Sequence, residues 1–393
     1  MCSNAKSKMK KTTIVFFILF SINSVWSQVE KNTYELGGME SLLTNDVKGV
    51  LNVNLKDKRV VFLGESGHFV GSDFLAKTQF IKYLVLEKGY KDIAFEDDFF
   101  ALYFDHNKTH LHSFWSNSIQ CRELFEFLKE HNVTIWGFDN QIYSQFTKSN
   151  FLEKLTEFLN ANAIEADKDF IRLTDTFFRN ASELGKTDGK QNIEKILSGI
   201  DTLLKNDKVI QDKLWVSILE SYKSFVMIVS THKGKEKGTP VRDAQMAKNL
   251  DFLVKTMPEK KFIVWLHNAH MAKYEYIFVP GETMGGQFVK ANPGISYHIA
   301  VSSIHLFYRK PKQIEKYSKD KENLLHFLPT TEKNYFIDSD KVIFENPEYA
   351  NKEYDGMFNL EDDNKSKTNW FKHYDALVFI SKGEEVTYPE KTK

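Results

Sequence analysis

The stretch Arg59–Glu96 constrains the fold of this chain more than any other. It holds an apolar run at Val60–Leu63, a short turn, a helical pattern that Gly89 stops, and a second apolar run at Asp92–Phe95. Short apolar runs bounded by turn residues are typical of buried strands. Ser72 is a suitable N-cap for the intervening helix. A strand, a helix and a strand within about forty residues form a βαβ unit, so we expect two parallel, neighbouring strands.

Ionisable residues stand where these two predicted strands end. Glu65 and His68 follow the first strand, and Glu96 follows the second. In open α/β sheets, ligands bind at the carboxyl ends of the strands. The stretch therefore predicts a functional site as well as a fold.

The rest of the chain predicts more strands and one long helical region. Apolar runs at residues 133–138, 261–266, 296–302 and 376–381 indicate further strands, and between residues 143 and 240 long amphipathic runs predict helices. The polar segment KGKEKGTP at 233–240 predicts a loop that closes this insertion. We therefore expect a three-layer α/β/α fold with a mostly parallel central sheet and a helical insertion at about 143–240. Residues 310–372 are polar and receive no assignment.

The first residues predict a secretory signal peptide. Lys10 and Lys11 precede an apolar run at Ile14–Ile22, and Val25-Trp26-Ser27 follows it. A basic start, a short apolar segment and a small residue before the cut are the parts of such a peptide. The run is too short for a stable membrane anchor. We expect cleavage after residue 27, one domain over 28–393, and a secreted or periplasmic protein.

Composition limits the partners and the metal chemistry. The chain has 53 basic and 53 acidic residues, which gives no bulk-charge argument for nucleic-acid binding. It has two cysteines, and removal of the signal peptide leaves Cys121 alone. The mature chain can therefore form neither an intrachain disulfide nor a thiolate metal cluster. A small-molecule substrate is the expected partner, and the oligomeric state is not predicted.

Four motifs in this order resemble the erythromycin esterase family: GESGHFV at 64–70, Glu96 at a strand end, RDAQMAKN at 242–249 and WLHNAH at 265–270. GFDN at 137–140 and MGGQF at 284–288 extend the resemblance over most of the mature chain. It implies a hydrolase that opens a macrolactone ester with water, as in macrolide resistance. It also implies that His68 is the general base, with Glu65, Glu96, His267 and His270 around the site.

One position departs from the family pattern. Nine residues after the histidine, the macrolide-active relatives resemble each other in having arginine, and this chain has Lys77. Lysine keeps the positive charge but loses the planar fork of arginine. The departure bears on the substrate more than on the chemistry. Lys77, Arg242 and Asn268 are the predicted substrate-binding residues, although Arg242 or Lys77 could instead pair with a carboxylate.

The turn after the first strand nearly matches the nucleophile elbow of serine hydrolases. His68 occupies the position of the closing glycine, so the tight packing of an elbow is not supported and Ser66 is expected to be structural. Water is then the expected nucleophile, and imidazole suits the role of base because it titrates near neutral pH. Glu65 or Glu96 could orient His68 or, if protonated through burial, act as an acid.

Two other functions remain open at this stage. His267 and His270, with His68, Glu65 and Glu96, could hold zinc in a metal-dependent hydrolase of another ester. The HExxH pattern is absent, so we expect no metal cofactor. The other alternative is a non-catalytic periplasmic binding protein on the same fold. So many titratable groups at one site argue against a pure binder.

Overall fold

The computed structural model describes residues 29–184, 189–230, 235–275, 279–358 and 367–390. The predicted signal peptide lies outside these ranges. The described residues form a large mixed sheet with helices on both faces, which confirms the predicted fold class.

Eight strands form the main sheet, in the order β1-β7-β10-β6-β2-β5-β3-β4. All neighbours from β10 to β4 are parallel, whereas β7 is antiparallel to both β10 and β1. A separate two-stranded sheet pairs β8 with β9. The strands are β1 Thr33–Glu35, β2 Val60–Glu65, β3 Asp92–Asp98, β4 Thr134–Asp139, β5 Phe262–His267, β6 Ser296–His305, β7 Tyr335–Asp338, β8 Tyr354–Asp355, β9 Lys367–Thr368 and β10 Ala376–Lys382.

The predicted βαβ unit is present, but its strands are not neighbours. β2 and β3 run parallel, and β5 lies between them, with Phe262 paired to both Val60 and Asp92. The expectation of adjacent strands is therefore wrong. A local pattern fixes the direction of the two strands, because the crossover helix returns the chain to the same side of the sheet. It does not reveal that a strand from much later in the chain fills the space between them.

Both faces of the sheet are covered. Along β2, Val60 and Phe62 belong to one hydrophobic cluster, while Val61 and Leu63 belong to the other. Successive strand residues point to opposite faces, so a strand that is buried throughout must be apolar at nearly every position. This explains why the central strands were visible as continuous apolar runs.

Helices form the outer layers of the fold. Between residues 145 and 256, the described residues are helical apart from short connections. The α-helices are Asn45–Asn54, Gly71–Lys88, Phe99–Phe104, Ser113–Ser116, Arg122–Glu130, Gln145–Ala161, Lys168–Leu184, Gly189–Leu204, Asp207–Gln211, Lys213–Ser230, Lys235–Thr256, Asn268–Met271, Met284–Ala291, Pro311–Lys319, Ser339–Glu345 and Trp370–His373. No helix in the described ranges is both long and apolar enough to cross a membrane.

Two predicted boundaries need correction. The helix after β2 begins at Gly71 with Val70 as its N-cap, and the Ser72 hydroxyl instead bonds Ser303 Oγ at 2.6 Å. Its other end is as predicted, since Gly89 adopts a left-handed conformation with φ 73°. The predicted loop at 233–240 is helical from Lys235 onward, with Pro240 inside the helix. Tertiary packing of the later turns outweighs the weak helix propensity of glycine and proline.

The unassigned region 310–372 completes one side of the sheet. It contributes β7, which lies between β10 and the edge strand β1, together with short helices and the β8–β9 pair. Residues 359–366 are outside the described ranges. A two-residue strand such as β8 carries too little pattern to be recognised from sequence.

Candidate active site

Four adjacent strands each end in an ionisable residue. In the order β2-β5-β3-β4, the residues at or within two positions of the strand ends include Glu65, His267, Glu96 and Asp139. Glu65 pairs directly with His267 in the β2–β5 register. Because these strands are parallel, their carboxyl ends meet at one edge of the sheet. The topology thus collects side chains from across the sequence into one place.

Glu65 is the centre of the first cluster. Its side chain is fully buried, and Oε1 lies 2.9 Å from His68 Nδ1 and 3.2 Å from Trp115 Nε1. The Lys77 ammonium donates to the other oxygen, Oε2. Lys77 is also fully buried, and its Nζ lies 3.7 Å from the centroid of the Trp265 ring. The carboxylate is therefore fixed on both oxygens.

His68 exposes the nitrogen that Glu65 does not hold. Its side chain is 34% exposed, and within the described part of the chain Nε2 has no protein hydrogen-bond partner. The ring stacks on Phe114 at 5.0 Å and meets the edge of His267 at 5.4 Å. A carboxylate on Nδ1 fixes the tautomer whose Nε2 lone pair faces outward. This is the geometry of an oriented base.

Ser66 is not available as a nucleophile. Its hydroxyl lies 2.7 Å from Oδ2 of the buried Asp73, which also accepts the Ser66 N–H at 2.9 Å. Asp73 in turn accepts from Ser303 Oγ at 2.7 Å. Both polar groups of Ser66 hold the turn in place, as expected for a structural residue.

His267 is a neutral spacer in this arrangement. Its Nε2 lies 3.0 Å from the Ser66 carbonyl, and its Nδ1 accepts the Ala269 N–H at 3.1 Å. Burial first, then the neighbouring histidines, lowers the pKa of His267 to about 3. With both nitrogens engaged, the ring has no lone pair left for a base or a metal ligand.

Arg242 is the centre of the second cluster. It donates to Asp139 through Nε at 3.2 Å and through Nη2 at 2.6 Å, and Nη2 also reaches Glu96 Oε1 at 2.7 Å. Its Nη1 lies 3.2 Å from His270 Nε2. Charge-assisted contacts of this kind are strong when buried. The Arg242 side chain nevertheless stays 19% exposed, so one edge of the cluster faces the site.

The charges in this cluster are set by their neighbours. Burial opposes ionisation of Glu96, but His270 and Arg242 hold the pKa of its carboxyl well below the usual range. Burial likewise opposes the cationic form of His270, but Asp243, 2.8 Å from Nδ1, and Glu96 raise its pKa above the usual value. Glu96 is therefore an anion that pairs with Arg242, and the predicted acid role does not fit it.

Two of the three predicted substrate-binding residues lie behind the site surface. Lys77 is fully buried and contacts Glu65, so the role that fits its position is to hold that carboxylate. Asn268 is also fully buried, and its Nδ2 donates to the carbonyls of Val301 at 2.9 Å and Phe358 at 3.0 Å. It joins β6 to a neighbouring loop. Arg242 alone of the three reaches the site edge.

A third group at this edge was missed from the sequence. Asp97 Oδ2 lies 2.6 Å from His112 Nδ1, and His112 Nε2 contacts the hydroxyl of Tyr143. His112 and His68 both pack on the same aromatic pair, Phe114 and Trp115. The segment 97–115 is rich in aromatic residues and histidines but has no clean periodicity. The position of Asp97, immediately after Glu96, was the available signal.

Among the described residues, no group of three or more His, Cys, Asp or Glu side chains is arranged to hold a metal ion. Each histidine in the predicted set has at least one nitrogen bound to a protein group. The exposed Nε2 of His68 is the lone pair that the cluster leaves toward solvent.

A buried carboxylate that holds a partly exposed histidine at the carboxyl edge of a parallel sheet is an arrangement suited to proton transfer in an α/β protein. The family model described as Erythromycin esterase matches residues 85–305. This match spans more than half of the chain, and the chain belongs to the erythromycin esterase family. The family supports hydrolase activity.

Known relatives agree with this assignment. The protein named "Putative hydrolase YbfO" of Bacillus subtilis (strain 168) is 27% identical over 278 residues, which is 59% of this chain and 61% of YbfO. A Bacillus cereus protein of known crystal structure has a TM-score of 0.70 at 17% identity, covering 94% of this chain and 99% of that one. A mutant of erythromycin esterase EreC in its open conformation has a TM-score of 0.60 at 16% identity, covering 90% and 98%. At these identities the solved structures show the fold alone.

Proposed function

We propose that this protein hydrolyses a carboxylic ester with a water molecule activated by His68. The observation that carries the proposal is the 2.9 Å contact of His68 Nδ1 with the buried Glu65, which leaves Nε2 exposed at the site. Water bound at Nε2 attacks the ester carbonyl while Nε2 takes its proton. Glu65 stabilises the imidazolium that forms.

The exposed edge of the Arg242 guanidinium is the positive group that we assign to the oxyanion. The centroids of the His68 and His267 rings are 5.4 Å apart, and those of His267 and His270 are 6.4 Å apart. The neutral His267 thus separates the base from Arg242 and His270. Positive groups aimed at the developing oxyanion are the largest single contribution in many acyl-transfer enzymes. Asp139, Asp243 and Glu96 fix the side chains of Arg242 and His270 in place.

The rim of the site favours an apolar acyl or alcohol group. Phe114 packs on His68, and Phe69, which is 60% exposed, lies 6.1 Å from Phe114. Exposed aromatic side chains around a few fixed polar groups are typical of sites for apolar small molecules. The family relationship makes a macrolactone the first substrate to test. Because Lys77 is buried behind Glu65, its difference from arginine does not change a direct substrate contact.

The test is to incubate the purified protein with macrolactones and simple esters and to detect the gain of one water by mass spectrometry. His68→Asn keeps an amide donor toward Glu65 but removes the proton acceptor. His131→Asn is the matched control, because that ring packs on Phe127 at the end of the helix Arg122–Glu130. Hydrolysis that survives in His68→Asn, or no hydrolysis of any ester, would contradict the proposal.

Metal dependence is tested in the same assay. We expect prolonged dialysis against a chelator to leave the rate unchanged, since water is activated by imidazole in this proposal. Activity that is lost on dialysis and restored by zinc would make His68 a metal ligand instead.

We also propose that the protein is exported, as the pattern of residues 1–27 predicts. The measurement is the N-terminal sequence of protein recovered from its native host, with cell fractionation. A mature chain starting near Gln28 outside the cytoplasm is the expected result. An intact amino-terminal segment on cytoplasmic protein would contradict it.

A further inference from the structure

We propose that Tyr143 is a second catalytic residue, which protonates the departing alcohol, and that His112 and Asp97 are positioning residues that hold its hydroxyl and resupply the proton. This inference rests on the proposed function, because it assigns the second proton transfer of the same hydrolysis. The attack of water on the ester accounts for one proton transfer, from the water to His68. It does not explain how an alkoxide of high basicity leaves.

The three side chains form an ordered line from the sheet to the surface. Asp97 is 5% exposed, His112 is 24% exposed, and Tyr143 is 39% exposed. Asp97 Oδ2 accepts from both the backbone N–H of His112 at 2.5 Å and its Nδ1 at 2.6 Å. Two contacts from one residue to one oxygen fix the ring, so Nε2 is directed at the Tyr143 hydroxyl.

The line shares an aromatic neighbour with His68. The ring centroid of Phe114 lies 5.0 Å from that of His68 and 4.9 Å from that of His112. Tyr143 comes four residues after Asp139, the last residue of β4, and its ring centroid lies 6.2 Å from that of Phe225 in the helical insertion. The line therefore runs from the end of β3 to the insertion, along the aromatic side chain that also packs on the base.

The charges around the pair keep the required protons in place. Burial opposes protonation of His112, but the hydrogen bond and charge of Asp97, with Asp139 and Glu96, raise its pKa. Burial and the carboxylates of Asp97 and Asp139 raise the pKa of Tyr143, although Arg242 opposes them. These shifts favour an imidazolium at His112, which donates to the phenol oxygen, and a phenol at Tyr143, which keeps its own proton for the substrate.

The proton balance closes without any added reactant. Water gives one proton to His68 Nε2 and its oxygen to the acyl carbon, and the bond from that carbon to the alkoxide oxygen then breaks. The alkoxide takes the phenol proton, and the phenolate takes the Nε2 proton of the His112 imidazolium. The proton held on His68 restores His112 through solvent, and the new carboxylic acid releases one proton. The sum is ester plus water giving carboxylate, alcohol and one proton.

The experiment compares esters of one acid with leaving groups of different basicity. A 4-nitrophenolate leaves without protonation, whereas an alkoxide needs it. Loss of a general acid should lower kcat/KM of Tyr143→Phe about 10²- to 10⁴-fold on alkyl esters but less than about threefold on 4-nitrophenyl esters. His112→Asn keeps a hydrogen-bond donor toward Asp97. It should also lower kcat/KM selectively on alkyl esters, but by a smaller factor than Tyr143→Phe. Tyr34→Phe, on the edge strand β1 far from the site, is the matched control.

The His68→Asn protein separates the two hypotheses. It should lose activity on both classes of ester, and failure of that result would contradict the proposed function itself. An equal loss on both classes in Tyr143→Phe, or no loss, would overturn the role of Tyr143 while leaving His68 in place.

A second measurement does not need a substrate. In ¹⁵N-histidine NMR spectra, Tyr143→Phe should shift the His112 Nε2 signal and leave the His68 signals in place. An unchanged His112 signal would show that the contact is absent in solution and would overturn the relay. If the parent protein cleaves no ester, both the proton-donor role of Tyr143 and the proposed function are contradicted.

Discussion

Two clusters in the described part of the chain each bring together a lysine, a carboxylate and a histidine. In the first cluster, Lys77 pairs with Glu65, and His68 Nδ1 contacts the same carboxylate at 2.9 Å. In the second cluster, near the starts of β6 and β10, Lys273 pairs with Asp375. The second carboxylate accepts the backbone N–H of His298 at 2.7 Å.

The two histidines differ in what they leave open. His298 is fully buried, with Nδ1 2.8 Å from the Met271 carbonyl and Nε2 3.1 Å from Ser296 Oγ. It also stacks on Phe62 with ring centroids 4.2 Å apart. Burial, and then the charge of Lys273, lowers the pKa of His298 to about 3. Both lone-pair positions serve the fold, whereas His68 keeps Nε2 for a ligand. Residue type alone does not separate a base from a core histidine.

The comparison is tested most strongly by activity. We expect His68→Asn to lower kcat about 10²- to 10⁴-fold, because it removes the proton acceptor, with little change in substrate affinity. His298→Asn should keep kcat within about threefold at a temperature where it is folded, since general-base losses of larger size require a group at the site. Steady-state kinetics on the best ester would measure both. Similar losses in the two variants would remove the distinction.

The next effect concerns the buried ion pair of the first cluster. Glu65→Gln leaves the Lys77 ammonium buried without its partner, which should destabilise the fold by roughly 3 to 5 kcal/mol. Adding Lys77→Met should recover most of that stability, because the unpaired charge is gone. It should not recover kcat, because His68 still lacks its carboxylate. Chemical denaturation and kinetics on the single and double variants measure the two readouts separately. Recovery of both together would place Glu65 in a purely structural role.

The roles of the two histidines should be reversed when stability is measured. His298→Asn breaks buried hydrogen bonds and should lower the free energy of unfolding by about 1 to 3 kcal/mol. His68→Asn, at a position with a third of the side chain exposed, should stay within about 0.5 kcal/mol. Urea titrations followed by circular dichroism give both values. A larger loss in His68→Asn than in His298→Asn would contradict this expectation.

The last comparison concerns how the free energy of unfolding changes with pH. The pKa of His298 is about 3 in the folded protein, against an ordinary value of 6.5 that we expect in the unfolded chain. The unfolded chain therefore binds a proton that the fold does not. The contribution of His298 to the free energy of unfolding is therefore fully present above pH 6.5 and is lost as the pH falls toward about 3.

One such group contributes at most about 1.4 kcal/mol per pH unit to the free energy of unfolding. The free energy of unfolding of His298→Asn should change less steeply with pH, by up to the equivalent of one proton. His267, whose pKa is also about 3, contributes to the slope in both proteins. Unfolding curves measured at several pH values between about 7 and about 4 would show the difference. Parallel curves for parent and variant would mean that His298 is protonated in the fold.

The strand ends were the part of the site that the sequence could predict. Glu65, Glu96 and His267 follow apolar runs, and a parallel sheet brings such ends to one edge whatever the strand order. The burial of individual side chains could not be predicted from the sequence. In the sequence, Lys77 looks like any solvent-exposed lysine of an amphipathic helix. Its burial becomes visible only in the structure, where its ammonium packs on the Trp265 ring.

Contacts between distant segments were also beyond the sequence. His112 meets Asp97 and Tyr143 only because the chain after β3 and the loop after β4 fold over the same edge. Asn268 lies between two site histidines in sequence, yet its side chain points into the core toward Val301. Neighbouring residues at a strand-to-helix turn face different directions, so proximity in sequence does not give access to the site.

The central position of β5 has a consequence for synthesis. A ribosome has made β2, β3 and β4 long before Phe262–His267 emerges, because the whole helical insertion comes first. Until then the sides of β2 and β3 that β5 will occupy are open edges of apolar strands, which attract other chains. Pairings between segments so far apart also form slowly. We expect nascent chains truncated before residue 262 to aggregate or to hold chaperones, and release to coincide with the arrival of this one strand.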